Sequence, residues 1–316
     1  MKKIGILMVF LALLSGCERE ILKDESKGTI AINTINEISP QVQKEVALQL
    51  AIPTETLSEK DFQNMRNFYV NVDDPTLKTA LSKMTRLEAL AIYVPINDLS
   101  LIISKTNLKY LTIENNSLSD IKFLSTLPAL KELYLSSNQL GQLQSLNALQ
   151  KLQSLSIINN QIQDIMLLDT LTSLQYLNIS DNNVTSLTPL LALENLTMFT
   201  ASNNAITDAA ALEKMSKLTH LNLEGNPIES LDFVNGLANL EVLSIANTKV
   251  FDLAPLAHLN NLIQLDIRGT EVTSSEPLFG LNQLKFLILD KQNVKDWTLL
   301  ENKEGLMITE TPIMAE

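Results

Sequence analysis

A leucine returns every 22 residues through most of this chain, at Leu108, Leu130, Leu152, Leu174, Leu196, Leu218, Leu240, Leu262 and Leu284. Three residues after each stands an apolar residue, Leu111 in the first copy and Leu287 in the last, with Phe199 in the middle. Two further on lies another, from Ile113 to Leu289, interrupted by Ala201. A polar column follows at Asn116, Asn138, Asn160, Asn182, Asn204 and Asn226, then Thr248, Thr270 and Gln292. Each copy reads LxxLxLxxNxLxxLxxLxxLxx, so the unit that folds is the repeat and length says little about domain count.

The spacing dictates the local structure. The LxLxx stretch alternates with period two, which makes a short strand with one face inward. Successive repeats stack these strands about 4.8 Å apart as a parallel sheet, so nine copies make a ladder on the order of 40 Å long. The rest of each repeat is apolar at every third position, which fits a 3₁₀ or extended return. Pro128, Pro189, Pro255 and Pro277 in these returns argue against long helices. The chain is 45% apolar and only 5% aromatic, so burial rests on Leu and Ile in a thin core of equivalent slots. The fold class expected is an α/β solenoid, a right-handed coil with a parallel concave β-sheet and a mostly 3₁₀ or extended convex side.

The asparagine column has a structural role in this geometry. Where the strand turns inward, backbone N–H and C=O groups are buried without strand partners. An Asn side chain offers both a donor and an acceptor and can stitch one turn to the next. Thr248 and Thr270 supply only a hydroxyl, so the ladder should weaken there.

This 22-residue consensus resembles the bacterial internalin-like class of leucine-rich-repeat proteins, over about residues 77–313. The resemblance implies a small helical cap at the start, for which residues 40–50 and 57–67 are candidates. A cap is needed physically, because an end repeat otherwise exposes its apolar cross-section. Residues 37–76 are assigned to that cap and an irregular first repeat, in which Met65, Phe68 and Val70 keep the spacing loosely. Residues 77–301 are the repeats; Leu87, Leu90 and Ile92 open another copy whose Asn position is broken at Pro95, Ile96 and Asn97. Residues 302–316 are a partial repeat and C-terminal cap, with Leu306, Ile308, Thr311 and Ile313 recovering strand spacing and Trp297 expected in an inward slot. The chain lacks the immunoglobulin-like domain, wall-binding repeats and LPxTG motif of surface internalins, so host-cell invasion is not implied.

Residues 1–17 read MKKIGILMVFLALLSGC. Lys2 and Lys3 precede an apolar run too short for a comfortable membrane span, so residues 1–16 read as a signal peptide. The segment Leu14-Ser15-Gly16-Cys17 resembles the lipobox of bacterial lipoproteins, in which the cysteine carries a diacylglyceryl group after cleavage. Cys17 is the single cysteine of the chain, so no internal disulfide competes for it. Residues 17–36 then form a charged and small-polar tether. The expected location is a bacterial cell envelope, with membrane contact through the N-terminal lipid alone. Glu18 departs from the Asp that commonly retains such proteins in an inner membrane, which favours the outer membrane in a Gram-negative cell.

The formal net charge is -12. Removing residues 1–16 deletes two lysines, leaving 22 basic against 36 acidic residues, or -14. Such a chain repels phosphate backbones, so nucleic acid is excluded as a partner. His220 falls on an outward strand position and His258 on a return, so no zinc site is expected. GxSxG, Walker, HExxH and calcium-loop spacings are all missing. No cofactor and no catalytic residue is assigned.

Binding has the better physical case. Outward strand positions form columns across the repeats, and the variable residues in them hold the available specificity. The candidate partner-binding patch is Tyr110, Tyr134, Ile158, Tyr176, Met198 and His220, aromatic anchors among small polar residues. A protein is the expected partner, and carbohydrate is a second class that stacking tyrosines allow. The reading is a membrane-anchored binding or adaptor module using its concave face. The alternative is a structural envelope protein that uses its convex or edge surfaces and has no discrete ligand groove.

Overall fold

Each repeat contributes one three- or four-residue strand, and the strands stack in chain order. The computed structural model describes residues 35–96 and 98–311. Among the described residues the strands are β1 (Asn67–Val70), β2 (Ala89–Ile92), β3 (Tyr110–Ile113), β4 (Glu132–Tyr134), β5 (Ser154–Ser156), β6 (Tyr176–Asn178), β7 (Met198–Thr200), β8 (His220–Asn222), β9 (Val242–Ser244), β10 (Gln264–Asp266), β11 (Phe286–Ile288) and β12 (Met307–Thr309). They form one sheet in the order β1 to β12 with all neighbours parallel. The register follows the 22-residue period from β3 to β11, as in Leu133↔Leu155. It shortens by one residue at both ends, where Leu90 faces Leu111 and Leu287 faces Ile308. The segment 1–16, Cys17, most of the tether, Asn97 and Ile313 lie outside the described residues. No helix among the described residues is long and apolar enough to cross a membrane.

The inward columns are closed to solvent: Leu111, Leu133, Leu155, Leu177, Phe199, Leu243 and Leu265 are all at 0% exposure. Burying each such side chain contributes about 1.5–3 kcal/mol. One repeat trades volume between slots. Phe199 stands where the others have Leu, and two residues on Ala201 replaces the usual Ile or Leu; both are at 0% exposure.

The returns are 3₁₀ segments from Lys122–Thr126 onward, including Met166–Thr170, Thr188–Ala192, Ala210–Lys214 and Asp232–Gly236. Pro189, Pro255 and Pro277 sit in the first turn of theirs, where a missing N–H costs nothing. The first two returns differ, being short α-helices at Leu77–Lys83 and Ser100–Ile103.

The asparagine ladder forms as its chemistry requires. Asn160 Oδ1 accepts from Leu140 N–H at 3.0 Å, and its Nδ2 donates to Leu135 O of the preceding repeat and to Ile157 O of its own, both at 3.1 Å. Asn182, Asn204 and Asn226 repeat the pattern one turn at a time. Thr248 and Thr270 bond only backward within their own repeat, to Ile245 O and Ile267 O; Gln292 is exposed. Immediately before the ladder a second column takes a left-handed backbone, with φ between 53° and 70° at Asn115, Ser137, Asn159, Asp181, Asn203, Gly225, Asn247 and Gly269. Asn, Asp and Gly dominate it because they tolerate this conformation best. At Gly225 close approach adds to the demand, since a Cβ there would lie 2.4 Å from Asn203 Oδ1.

A third column opens the returns. From Asp120 onward it runs Asp120, Gln142, Asp164, Ser186, Asp208, Ser230, Asp252, Ser274, Asp296. From Asp120 to Ser274 the Asp and Ser side chains accept from the backbone N–H two residues later, as Asp164 does from Met166 at 2.8 Å and Ser230 from Asp232 at 3.0 Å. Neighbours in the column also meet, Ser274 Oγ donating to Asp296 Oδ2 at 2.6 Å.

At the N-terminal end the helix α1 (Pro40–Leu50) begins behind Ser39, whose hydroxyl accepts from Val42 N–H. Ile35 and Ile38, 1% exposed each, already belong to the core, so packing starts two residues before the boundary expected at 37. The second cap helix, α2 (Glu59–Asn64), is shorter than residues 57–67. A capping box between Ser58 and Asp61 starts it late, and Asn67 opens β1. Gln49 closes the open edge of β1 by pairing its side-chain amide with both backbone groups of Tyr69, at 2.6 and 2.9 Å. At the far end Trp297 is only half-buried, because the stack stops there and Lys291 Nζ lies 4.4 Å from its ring centroid. Lys303 Nζ donates to Leu278 O and Phe279 O, satisfying carbonyls at the end of the last full return.

Candidate binding face

Alternation along each strand puts three residues per repeat on the outer face of the sheet. The first column holds Tyr110, Tyr176, Met198 and His220. Register pairs place Tyr176 beside Met198 and Met198 beside His220, with Tyr110 three strands away from Tyr176. Met198 is 39% exposed, while Tyr110, Ile158, Tyr176 and His220 are half-buried. Thr219 Oγ1 lies 2.8 Å from His220 Nδ1, and His258 is exposed on a return. The sheet thus joins Tyr176, Met198 and His220 into one contiguous strip.

Tyr134 departs from the expectation that it projects as an anchor. It is 5% exposed, and its hydroxyl donates to Glu132 Oε2 at 2.9 Å and sits 3.3 Å from Ser154 Oγ. The small residues Ser154 and Ser156 on β5 leave room for its ring to fold along the sheet. Burial therefore pushes its phenol well above the ordinary range. Tyr134 braces the face and closes the Glu132 carboxylate on the chain itself.

The N-terminal corner of the same face carries residues left out of the expected patch. Tyr69, Tyr93 and Glu114 converge there. Ile92 pairs with Ile113, which sets Tyr93 beside Glu114, and both Glu114 and Tyr69 act electrostatically on the Tyr93 phenol. Tyr93 is 47% exposed. A strict 22-residue count hides this grouping, because the β2–β3 step is 21 residues and shifts Tyr93 opposite residue 114 instead of 115. The tyrosines at 69 and 93 were the available signal.

Glu114 is held in an unfavourable place. Its Oε1 is buried with no hydrogen-bond partner. Desolvation pushes its carboxyl up, opposed by a hydrogen bond from Ser136. A folded value above the unfolded one means no penalty while the group is protonated in both states, and stability lost as pH rises through the folded value. Glu114→Gln is therefore expected to melt with the wild type below the ordinary carboxylate range and above it at pH 7. Paired thermal melts at the two pH values check this; identical melting temperatures at both would show that no penalty exists.

Across all twelve strands of the described residues the outer face holds five carboxylates, Glu114, Glu132, Glu224, Asp266 and Asp290, against one guanidinium, Arg268. Arg268 is already engaged: Nε donates to Asp266 Oδ1 at 2.9 Å and Nη2 to Oδ2 at 2.5 Å. Glu224 and Asp290 also act on it, and together these hold its proton more firmly. On the return side a groove of about 660 Å³ lies between two repeats, lined in part by Met166, Pro189, Leu191 and Ala192.

Models of leucine-rich repeats match residues 106–148 and 194–236 as two-copy units, and residues 173–196 as a single repeat. No curated relative matches this chain by sequence. Among solved structures, an internalin (inlF) from Listeria monocytogenes superposes with a TM-score of 0.71 at 22% identity, over 90% of this chain and 100% of that one. The functional domain of InlJ from the same organism, which includes a cysteine ladder, gives 0.67 at 20% identity over 84% and 67%. A leucine-rich-repeat protein from Leptospira interrogans gives 0.57 at 20% identity over 81% of each chain. These likenesses concern the fold: an open, all-parallel leucine-rich-repeat solenoid with internalin-like structural neighbours.

Proposed function

We propose, from a leucine-rich-repeat solenoid as the premise, that this chain is a binding module that recognises a protein through the outer face of its sheet. The observation that carries the reading is the division of labour among side chains. Repeating Leu, Ile and Asn residues are used up in packing and laddering, while Tyr93, Tyr110, Tyr176, Met198 and His220, which belong to no repeated slot, stand on the outer face of one continuous sheet. Internalin-like solenoids serve typically as protein-interaction scaffolds, which supports the same reading. The module acts by holding a partner and performs no chemistry of its own. Cys17 carries the lipid that fixes it to a bacterial envelope membrane, outer in a Gram-negative cell, with residues up to about 34 as the tether. Mass spectrometry of the mature N-terminus tests the anchor, a lipid-free Cys17 excluding it.

The face is tested by capture from solubilised membranes with the wild type and the triple variant Tyr110→Ala/Tyr176→Ala/Met198→Ala. Partners retained by the wild type should be lost at least tenfold in the variant, with the thermal melt unchanged within a few degrees. Undiminished capture would remove the face from consideration. The second reading, a structural envelope protein, draws on the return-side groove and the exposure of Met166 at 63% and Leu191 at 46%. Capture sensitive to Met166→Ser/Leu191→Ser and not to the triple variant would favour it.

A further inference from the structure

The two places where tyrosine meets glutamate on the outer face are built differently. At β4 the pair is self-sufficient, since Tyr134 donates to Glu132 and is itself buried. At the β2–β3 corner the pair is open. Tyr93 leaves 47% of its surface exposed, and Glu114 keeps a carboxylate oxygen buried without any donor. No ion pair among the described residues reaches Glu114. A buried carboxylate oxygen lacking a donor is costly, and folded proteins almost always satisfy such atoms. The chain's own cations do not serve. Arg268, the one guanidinium of the face, is bound to Asp266 seven strands away. Lys109 pairs with Glu88 at 2.6 Å.

We infer that the corner formed by Tyr93, Glu114 and Tyr69 receives a lysine or arginine side chain of the protein partner. A cation there is drawn by the half-buried Glu114 carboxylate and lies against an exposed phenol ring, where the quadrupole favours positive charge. The wider face agrees, because five carboxylates against one occupied guanidinium make it complementary to a basic surface. The burial that makes Glu114 a poor structural residue makes it a strong recognition element, since a desolvated site magnifies the attraction. This inference rests on the proposed use of the sheet face for protein binding and specifies what the partner brings to one end of it.

The test uses the full chain and labelled hexa-arginine in fluorescence anisotropy at low salt. A neutral glycine-serine hexapeptide and maltohexaose serve as competitors. Glu114→Gln and Tyr93→Ala are each expected to weaken hexa-arginine binding about tenfold. Glu304→Gln, which removes the same charge from an exposed turn, should change it less than twofold. Neither competitor should displace the peptide. Equal losses in Glu114→Gln and Glu304→Gln would reduce the effect to net charge and overturn the inference; displacement by maltohexaose would assign the corner to sugar hydroxyls and overturn it as well. The membrane capture separates the two levels. Loss in the Tyr110/Tyr176/Met198 variant with full capture by Glu114→Gln and Tyr93→Ala would remove the cation corner and keep the face, whereas insensitivity of capture to every one of these variants would remove both.

Discussion

Asn160→Ala is expected to lower the free energy of unfolding by about 2–3 kcal/mol, the cost of a buried donor left without a partner plus a small void. The donor is Leu140 N–H, whose acceptor is the Asn160 side chain. The carbonyls suffer less, because Leu135 O also accepts from Asn138 and Ile157 O also accepts from Asn182. Thr248→Ala is the internal control. It loses a single bond within its own repeat and should cost only about 0.5–1.5 kcal/mol. Urea denaturation midpoints compare the two. Equal shifts would mean that the cross-repeat bond adds nothing to the ladder.

The second large effect is a coupling. Phe199→Leu should cost about 1–2 kcal/mol by opening a void at a site of 0% exposure. Ala201→Ile should cost about 1–3 kcal/mol by forcing three extra carbons into a closed slot. Made together they restore the Leu and Ile found at Leu177 and Ile179, or at Leu243 and Ile245. The double variant is therefore expected to recover at least about 1 kcal/mol relative to the sum of the singles. Strict additivity in a double-mutant cycle would show that the two side chains do not share space.

The fold was legible because one period carries both the strand alternation and the inward leucines, so each repeat votes for the same register. The Asn ladder was legible for a related reason: a side chain with both donor and acceptor, recurring at the point of a turn, has few other uses. Less could be read at the ends. A one-residue shortening between Leu90 and Leu111 leaves the apolar pattern intact while moving every outward neighbour by one place, and this hid the Tyr93–Glu114 contact. Orientation was the other gap. An outward strand position tells which side of the sheet a side chain leaves from and says nothing of where a long ring then lies. Tyr134 leaves outward and lies down because Ser154 and Ser156 are small. The left-handed column at Asn115 through Gly269 was present in the sequence as Asn, Asp and Gly at fixed spacing, overshadowed by the asparagines beside it.

The alternating Asp and Ser that open the returns set a rule for how this array can change length. Aspartates on adjacent turns would stand on the order of 5 Å apart, where two exposed carboxylates repel by roughly 1 kcal/mol; on alternate turns the separation reaches about a screening length. Serine in between keeps the hydrogen bond to the backbone and relieves the repulsion. The electrostatic wavelength of the solenoid is thus 44 residues, twice its packing period. Excising a single serine-bearing turn would bring two aspartates face to face at the splice, whereas excising two adjacent turns would leave the alternation unbroken.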